Sequence, residues 1–187
     1  MSGPTAEAPF DIAAVGLGVL GVHHLTREAE AVVSRCRRVF TVDATPGVEE
    51  YLRSLNPEVV SLLHLYEERK PRLPSYQKMA ATVTAAALED PPVCFATYGH
   101  PQVYRYPTTL LRRAAPLLGL RLEVIAGVSA LDTLLIDVGY DFSRDGLQMY
   151  DATDVLLRRR PLHNDVACVL WQTTTFADLL LGNYRAE

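Results

Sequence analysis

Three glycines near the start of the chain, Gly16, Gly18 and Gly21, form the pattern G-x-G-x-x-G after an apolar run, and Asp43 ends the next apolar run. This spacing superficially matches a nicotinamide dinucleotide site, where a helix begins within the glycine loop and its N–H groups meet the pyrophosphate. Here four further residues precede Thr26, which is a better N-cap for the following helix. A tight turn between strand and helix is therefore favoured over a dinucleotide site.

The adjacent histidines His23 and His24 are the next residues with chemical potential. Two neighbouring imidazoles do not converge readily on one metal ion, and no carboxylate or thiol is spaced to assist them. We therefore predict that they are polar loop residues and that the chain has no metal site.

A second loop reads Tyr98-Gly99-His100-Pro101 and follows a buried apolar run. Gly99 permits close backbone approach, Pro101 fixes the turn, and Tyr98 offers a ring and a hydroxyl. Such a loop permits close approach of a ligand to its backbone and contact with an aromatic ring. The alternative is a plain turn stiffened by proline.

The elements that position these loops follow from the apolar pattern. Apolar runs alternate with amphipathic stretches from Phe10 onward, in a β-α-β-α-β rhythm. Five runs are predicted strands of one sheet: 12–16, 39–42, 59–62, 93–97 and 122–125. Continuous apolar strands separated by helices indicate an α/β fold, with a mostly parallel five-stranded sheet flanked by helices and ligands at the carboxyl ends of its strands.

Helices are predicted between these strands and after them. The first two cover 27–37 and 47–55, and an Ala-rich segment over 77–89 favours a third. A fourth has Pro107 in its first turn and ends at Gly119. Its buried face is predicted to carry Leu110, Leu111, Ala114 and Leu118. Beyond Gly127 we predict a helix over 130–138, a loop, a helix over 152–159 and a strand over 166–172.

This pattern predicts three segments. Residues 1–9 read as a flexible leader, 10–126 as an N-terminal α/β domain, and 127–187 as a partial C-terminal α/β domain. After Gln172 about fifteen residues remain, too few for the further strands that an α/β domain needs. We expect either a truncated second domain or a partner that completes it.

Composition excludes several functions. The 187 residues carry a formal net charge of -4, which argues against a nucleic-acid partner. The chain lacks a run of about 18 apolar residues that could span a membrane. The cysteines Cys36, Cys94 and Cys168 are widely spaced in mostly apolar segments, which favours buried thiols over disulfides. A soluble cytoplasmic protein is predicted.

Four motifs in order resemble the tetrapyrrole-methylase-like superfamily of S-adenosyl-L-methionine (SAM) dependent methyltransferases, and they extend over nearly the whole chain after residue 10. They are Val15-Gly16-Leu17-Gly18 with Leu25-Thr26 at the head of a helix, Tyr98-Gly99-His100-Pro101, Gly127-Val128-Ser129-Ala130, and Trp171-Gln172. The resemblance implies that fold and SAM as cofactor, with S-adenosylhomocysteine as product. It also implies cofactor-binding residues, namely Gly16, Gly18, Tyr98, His100, Val103, Tyr104, Ser129, Ala130 and Gln172.

Within that superfamily the stretch 66–79 resembles the borosin peptide α-N-methyltransferases, whose pattern places Tyr, Arg and Tyr before a long helix, as Tyr66, Arg72 and Tyr76 stand here. The segments 137–141 and 151–153 are also similar. Two features depart from the family: the substrate peptide that fused borosins carry at their C-terminus is absent, and the second domain is short.

The resemblance implies a catalytic role for Tyr66, Arg72 and Tyr76. An amide nitrogen is a poor nucleophile because its lone pair is delocalised into the carbonyl, so the site must favour the imidate form. Arg72 is the candidate cation that stabilises the carbonyl oxygen, and Tyr76 or Tyr66 the phenol that accepts the amide proton. Otherwise the tyrosines are half-buried amphipathic residues and Arg72 belongs to a solvated basic loop.

These arguments predict a SAM-dependent methyltransferase that α-N-methylates a separate ribosomal precursor peptide. The alternatives are a corrin or porphyrin C-methyltransferase, which shares the fold, and a non-catalytic SAM-binding subunit. A homodimer is expected, because the resembling class is commonly dimeric and an incomplete domain leaves apolar surface exposed. Neither nucleic acid nor membrane is an expected partner.

Overall fold

The computed structural model describes residues 9–67 and 70–173, which divide into two compact units. The first unit contains residues 9–67 and 74–133, and the second contains 70–73 and 134–173. Apart from Pro9, the predicted leader lies outside the described residues. The domain boundary predicted after residue 126 stays a prediction. In the described part of the chain, every helix is too short or too polar to cross a membrane.

A five-stranded sheet forms the centre of the first unit. Its strands are β1 (Ile12–Gly16), β2 (Arg38–Thr41), β3 (Val59–Ser61), β4 (Val93–Thr97) and β5 (Leu122–Ile125). The order is β3-β2-β4-β1-β5 and every pair is parallel. The predicted mostly parallel five-stranded sheet is confirmed. Both central strands, β1 and β4, are buried along their whole length, as their continuous apolar sequences require.

The helices follow the predicted order. They are α1 (Arg27–Arg35), α2 (Val48–Leu55), α3 (Arg72–Glu89), α4 (Tyr106–Leu117) and α5 (Ala130–Val138), with short 3₁₀-helices at Gly21–His24 and Leu63–Leu65. Thr26 is the N-cap of α1, as predicted, because its Oγ1 accepts the Ala29 N–H at 3.0 Å. The alternation of strand side chains divides the core. Ala13 and Val15 of β1 belong to one buried cluster with α1 and α2, whereas Ile12 belongs to the other with α3 and α4.

Two details of the helix predictions were wrong. The third helix begins at Arg72 instead of residue 77, because Pro74 is compatible with the first turn of a helix, where its missing N–H has no partner to lose. Leu118, predicted on the buried face of the fourth helix, is 45% exposed. The helix ends at Leu117, so Leu118 leaves the periodic register that buries Leu111 and Ala115.

The second unit contains β6 (Leu147–Asp151), α6 (Ala152–Leu157) and β7 (Ala167–Trp171). The strands β6 and β7 pair in parallel. The prediction of a loop between 138 and 152 was wrong over β6, because this short strand forms by pairing with a partner distant along the chain. Cys36 and Cys94 are buried as predicted, but Cys168 in the two-stranded sheet is exposed.

Candidate functional site

The loops after β1, β4 and β5 meet through their backbones at the carboxyl edge of the sheet, the edge formed by the carboxyl ends of its parallel strands. A Cβ at Gly16 would lie 2.6 Å from the Gly99 carbonyl oxygen and 2.8 Å from the Gly127 Cα. Gly18 and Gly99 form an antiparallel bridge, in which the Gly99 N–H donates to the Gly18 oxygen at 2.8 Å. Close packing of three loops therefore explains why residues 16 and 127 are glycines.

The first glycine loop does not lead directly into a long helix. The 3₁₀-helix Gly21–His24 follows it, and α1 starts only after Thr26, as the argument against a pyrophosphate site requires. His24 accepts the Val19 N–H through Nδ1 at 3.3 Å, so its side chain stabilises the first glycine loop. Among residues 9–67 and 70–173, no group of three His, Cys, Asp or Glu side chains could hold a metal ion.

The loop after β4 presents side chains at the same edge. Gly99 has φ of +71°, and Pro101 is buried at the base of the turn. His100 accepts the Gln102 N–H through Nδ1 at 3.1 Å, and its carbonyl accepts the Val103 N–H at 3.1 Å. Tyr98 and Tyr104 are both exposed, and Tyr104 has φ of +53°. Four of the predicted cofactor-binding residues thus share one internally bonded loop.

Arg105, which sequence reasoning missed, ends this loop and precedes α4. Its Nε donates to the Tyr98 carbonyl oxygen at 2.8 Å, and its Cζ lies 5.3 Å from the centre of the Tyr98 ring, within cation–π range. Burial lowers the pKa of the Arg105 guanidinium from its ordinary value, whereas the nearby groups of Tyr66, Tyr76 and Asp43 favour its charged form. The ring of the next residue, Tyr106, lies 6.1 Å from the Tyr76 ring, so Arg105 stands beside these tyrosines in the fold.

The predicted catalytic tyrosines lie together in the first unit. Tyr66 follows the 3₁₀-helix Leu63–Leu65, and its ring meets the Tyr76 ring edge to face at a centroid distance of 6.1 Å. The Tyr76 ring also lies 6.1 Å from that of Tyr106, tilted by 48°. Tyr66 and Tyr76 pack against the core below α3 and α4, as half-buried amphipathic residues do. Burial alone does not separate the catalytic interpretation from the packing one.

Asp43, which follows β2, belongs to the same surroundings. Its Oδ1 accepts the Thr45 N–H at 2.7 Å, but its buried Oδ2 has no hydrogen-bond partner. The hydroxyls of Thr97, at the end of β4, and Thr108, in the first turn of α4, are likewise buried without a partner. Buried polar atoms are nearly always hydrogen-bonded, so unpartnered ones at the carboxyl edge are a signal of a ligand site.

Ser129 has a clear structural role before α5. Its N–H and Oγ both donate to Asp132 Oδ2, at 2.6 and 2.9 Å, and its Oγ accepts the Leu131 N–H at 3.2 Å. This is the reciprocal pattern of a helix cap. Ala130 is the first residue of that helix. A contact of either residue with a cofactor stays a prediction.

Two predicted site residues belong to the second unit. Arg72 is the half-buried first residue of α3, and Gln172 follows β7 with φ of +59°. The roles predicted for both residues stay predictions.

The sequence did contain a signal for Arg105. A cation immediately before a helix is disfavoured by the helix dipole, so the position of Arg105 has to be explained by contacts outside the helix.

Comparisons with known proteins agree with this architecture. The family model of tetrapyrrole (corrin/porphyrin) methylases matches residues 11–169. A methyltransferase/ribosomally synthesized type III borosin cyclic peptide precursor of Anomoporia bombycina is 35% identical over 169 residues, which are 90% of this chain and 20% of that protein. A type I borosin precursor of Coprinopsis marcescibilis is 34% identical over 84% of this chain and 40% of its own length. The chain thus spans less than half of these relatives.

Solved structures share the fold. A uroporphyrin-III-C-methyltransferase from Thermus thermophilus superposes with a TM-score of 0.56 at 25% identity, over 81% of this chain and 63% of that one. A putative cobalamin synthesis related protein from Corynebacterium diphtheriae gives a TM-score of 0.62 at 16% identity, over 85% of this chain and 70% of that one. The second likeness concerns the fold alone.

Proposed function

The chain belongs to the tetrapyrrole (corrin/porphyrin) methylase family, and on that premise we propose that it is the catalytic part of a SAM-dependent methyltransferase that methylates backbone amide nitrogens of a ribosomally made peptide. The observation that carries this proposal is the contact between the Tyr66 and Tyr76 rings, next to Tyr106 and to the Arg105 side chain that bonds the Tyr98 loop. The borosin relatives, whose printed names join a methyltransferase to a cyclic peptide precursor, supply the class of substrate.

The described residues fit SAM as a cofactor. The exposed Tyr98 ring offers a π face to a sulfonium cation, and the loop offers carbonyl oxygens. The unpartnered Oδ2 of Asp43 suits a hydroxyl or ammonium donor, both of which SAM carries. We propose contacts from Tyr98, His100, Val103, Tyr104, Ser129, Ala130 and Gln172, with Gly16 and Gly18 allowing the loops to lie close. Bound SAM would supply an electrophilic methyl group.

Arg72 is proposed to stabilise the amide oxygen of the substrate. Methyl transfer to an amide nitrogen requires negative charge to move onto the carbonyl oxygen, and a fixed guanidinium stabilises that charge. Arg72 is the first residue of α3, and Tyr76 follows in the sequence of the same helix. One helix would thus carry both the oxyanion partner and a proton acceptor.

Tyr76 or Tyr66 is proposed to accept the amide proton. The N–CH₃ bond would form as the S–CH₃ bond of SAM breaks, which leaves S-adenosylhomocysteine. The N–H bond breaks in the same reaction, and its proton passes to a phenolate oxygen. A phenol becomes a useful base only when a nearby cation favours its anion. The edge-to-face contact of the two rings fixes their relative orientation, which helps to hold a peptide in line with the methyl donor.

Mass spectrometry tests the proposed reaction directly. The chain is incubated with SAM and with each short peptide encoded beside its gene, and the products are compared for Arg72→Ala, Arg72→Lys and the parent. We expect stepwise gains of one methyl group on the peptide, lost in Arg72→Ala. Methylation of uroporphyrinogen III instead would establish the C-methyltransferase alternative, and SAM binding without any methylated product would establish the non-catalytic subunit.

Thermal protection tests the cofactor separately. A ligand that binds only the folded state raises the apparent melting temperature. SAM and S-adenosylhomocysteine are expected to raise it, and NAD is expected to leave it unchanged. The homodimer and the cytoplasmic location stay predictions, and sedimentation velocity measures the first of them.

A further inference from the structure

Arg105 is distinguished from an ordinary surface arginine by what surrounds it. Its Nε donates to the Tyr98 carbonyl oxygen and its Cζ lies over the Tyr98 ring, and the ring of the next residue, Tyr106, lies 6.1 Å from that of Tyr76. The electrostatic interactions of the guanidinium with Tyr66, Tyr76 and Asp43 agree with this placement. In contrast, Arg113 on α4 is solvent-exposed. The guanidinium therefore joins the loop proposed to hold the cofactor to the tyrosines proposed to accept the proton.

The position of Arg105 is unfavourable for the helix that it precedes. It is the N-cap of α4, yet its side chain makes no capping hydrogen bond. A positive charge at a helix N-terminus opposes the helix dipole, and partial burial of the guanidinium adds a desolvation cost. The helix gains nothing from an arginine at its N-cap, so the contacts of Arg105 with the Tyr98 loop account for its placement.

We propose that Arg105 is a positioning residue, whose guanidinium holds the backbone of the Tyr98 loop and favours the phenolate form of the adjacent tyrosine pair, Tyr66 and Tyr76. The inference rests on the proposed function for its role in turnover. The electrostatic interaction is reciprocal: if the phenolates favour the charged guanidinium, the guanidinium favours the phenolates by the same free energy.

Other charged groups near the tyrosine pair do not remove this effect. The Asp43 carboxylate weakens the stabilisation of the phenolates, because it interacts electrostatically with the same guanidinium. Glu67 and Lys78 flank the pair but form an exposed ion pair with each other at 3.3 Å, which leaves little net charge. On the neighbouring segments His64 is exposed and His100 accepts the Gln102 N–H.

The remaining ionisable groups on α3 and α4 are Tyr106, whose ring lies next to that of Tyr76, Arg72 and the exposed Glu89 at the two ends of α3, and the exposed Arg112 and Arg113 of α4. Arg72 is the second cation to be considered, and it is retained in every variant described below. Its contribution is therefore constant, and any change in tyrosine titration is assigned to residue 105.

The test titrates the tyrosines without requiring turnover. Tyrosine labelled with ¹³C at Cζ is incorporated into the whole chain, the signals of Tyr66 and Tyr76 are assigned with Tyr66→Phe and Tyr76→Phe, and chemical shifts are followed against pH. Arg105→Met is expected to move the titration midpoint of at least one of the pair upward by about one pH unit, the size expected for a neighbouring cation. An unchanged midpoint in Arg105→Met overturns the proposal.

Three further variants separate charge from structure. Arg105→Gln removes the charge but keeps a side-chain donor, so it is expected to shift the midpoint as Arg105→Met does, and it replaces that variant if methionine prevents folding. Arg105→Lys keeps the charge and is expected to retain most of the parent titration. Arg113→Met, an exposed change on the same helix, is expected to have no effect; a shift as large as that of Arg105→Met would overturn the assignment.

Kinetics extends the test to the reaction. On the rising part of the pH profile, Arg105→Gln is expected to lower kcat about tenfold with little change in KM for the peptide, and a rise of about one pH unit should restore the rate. An equal loss at every pH would contradict the electrostatic role. If no peptide is methylated by the parent chain while the titration shift persists, the proposed function fails and the interaction of Arg105 with the tyrosines stands.

Discussion

The loops after β1 and β4 are neighbours at the carboxyl edge, yet they differ in what they offer a ligand. The first has the recognisable glycine pattern, but the space beside Gly16 is filled by the backbone of Gly99 and Gly127, and His24 bonds back to Val19. The second has one glycine in its motif and presents the exposed Tyr98 ring, with Arg105 bonded to the loop. Backbone packing explains the conspicuous pattern, and the chemistry is proposed for the neighbouring loop.

This difference has a general physical reason. A glycine is required both where a ligand approaches the backbone and where another backbone does, so the residue type alone does not distinguish the two. Side chains that gather around a half-buried cation carry more specific information. The comparison therefore predicts that changes in the first loop alter stability and that changes in the second alter ligand binding.

The largest effect is expected for Gly16→Ala. Its new Cβ would meet the Gly99 oxygen at 2.6 Å and the Gly127 Cα at 2.8 Å, and backbone atoms cannot move aside as a flexible side chain can. Overpacking of this kind costs about 3 kcal/mol. Urea unfolding followed by circular dichroism measures the loss in the free energy of unfolding.

Gly47→Ala is the matched control for that change. Gly47 has a positive φ of +81°, but nothing lies within 4 Å of the position that a Cβ would take there. Only the backbone strain of a left-handed conformation remains, about 1 kcal/mol. If Gly16→Ala were no more destabilising than this control, the packing explanation for the first loop would be wrong.

Tyr98→Ala is expected to have an intermediate effect, on binding. Removal of the ring deletes the proposed π contact with the cofactor and the partner over which Arg105 lies. We expect the Kd for SAM, measured by isothermal titration calorimetry, to rise about tenfold, or about 1.4 kcal/mol. The exposed His23, beside the first loop, provides the control: an equal loss of affinity in His23→Ala would break the contrast between the loops.

The smallest effect is expected at the opposite edge of the sheet, where Arg121 bonds Asp11 through its backbone N–H and its guanidinium, at 2.7 to 3.0 Å. The Arg121 side-chain bonds hold the pKa of Asp11 below its ordinary value. A carboxyl with a lowered folded pKa stabilises the protein above its unfolded pKa, about 4, and this stabilisation disappears as the pH falls through the folded value.

Asp11→Asn is therefore expected to reduce the free energy of unfolding by less than about 1 kcal/mol at neutral pH, since the Arg121 side chain is largely exposed and the interaction is screened. The deficit should shrink as the pH is lowered below the ordinary aspartate range. Urea titrations at several pH values measure it. A change in SAM affinity in this variant would show that the two edges of the sheet are coupled.

The fold was largely predictable because local apolar periodicity carries it. The strands β1, β4 and β5 and the helix α5 begin and end at the predicted residues, since each is a clear apolar or amphipathic run between breakers. The strand β6 was missed because its short sequence has no strong local signal and its partner β7 lies beyond an intervening helix. The start of α3 was predicted too late because the helix propensity is concentrated in the Ala-rich segment 77–89, whereas Pro74 also fits a first turn.

The candidate site was predictable in part. The Tyr98 loop was predicted from a strand end, a glycine and a proline. The catalytic roles of Tyr66 and Tyr76 come from a family resemblance and stay predictions. Their ring contact and the proximity of Arg105 could not be predicted, because residues far apart along the chain meet only when the sheet is assembled. For the same reason the spacing of Asp43 suggested only a superficial match to a dinucleotide pattern, and its proximity to the Tyr98 loop was not predicted.

By itself the sequence determined the kinds of elements, their order and the loops that end each strand, because these depend on interactions among near neighbours in the chain. The tertiary structure alone decided that β2, β4 and β1 lie side by side, in the order β3-β2-β4-β1-β5. That order brings Asp43 and Tyr98 to one edge of the sheet and places the half-buried guanidinium of Arg105 beside the tyrosines. The sequence could not show the resulting interactions, because electrostatic interactions depend on distance in space and not on separation along the chain.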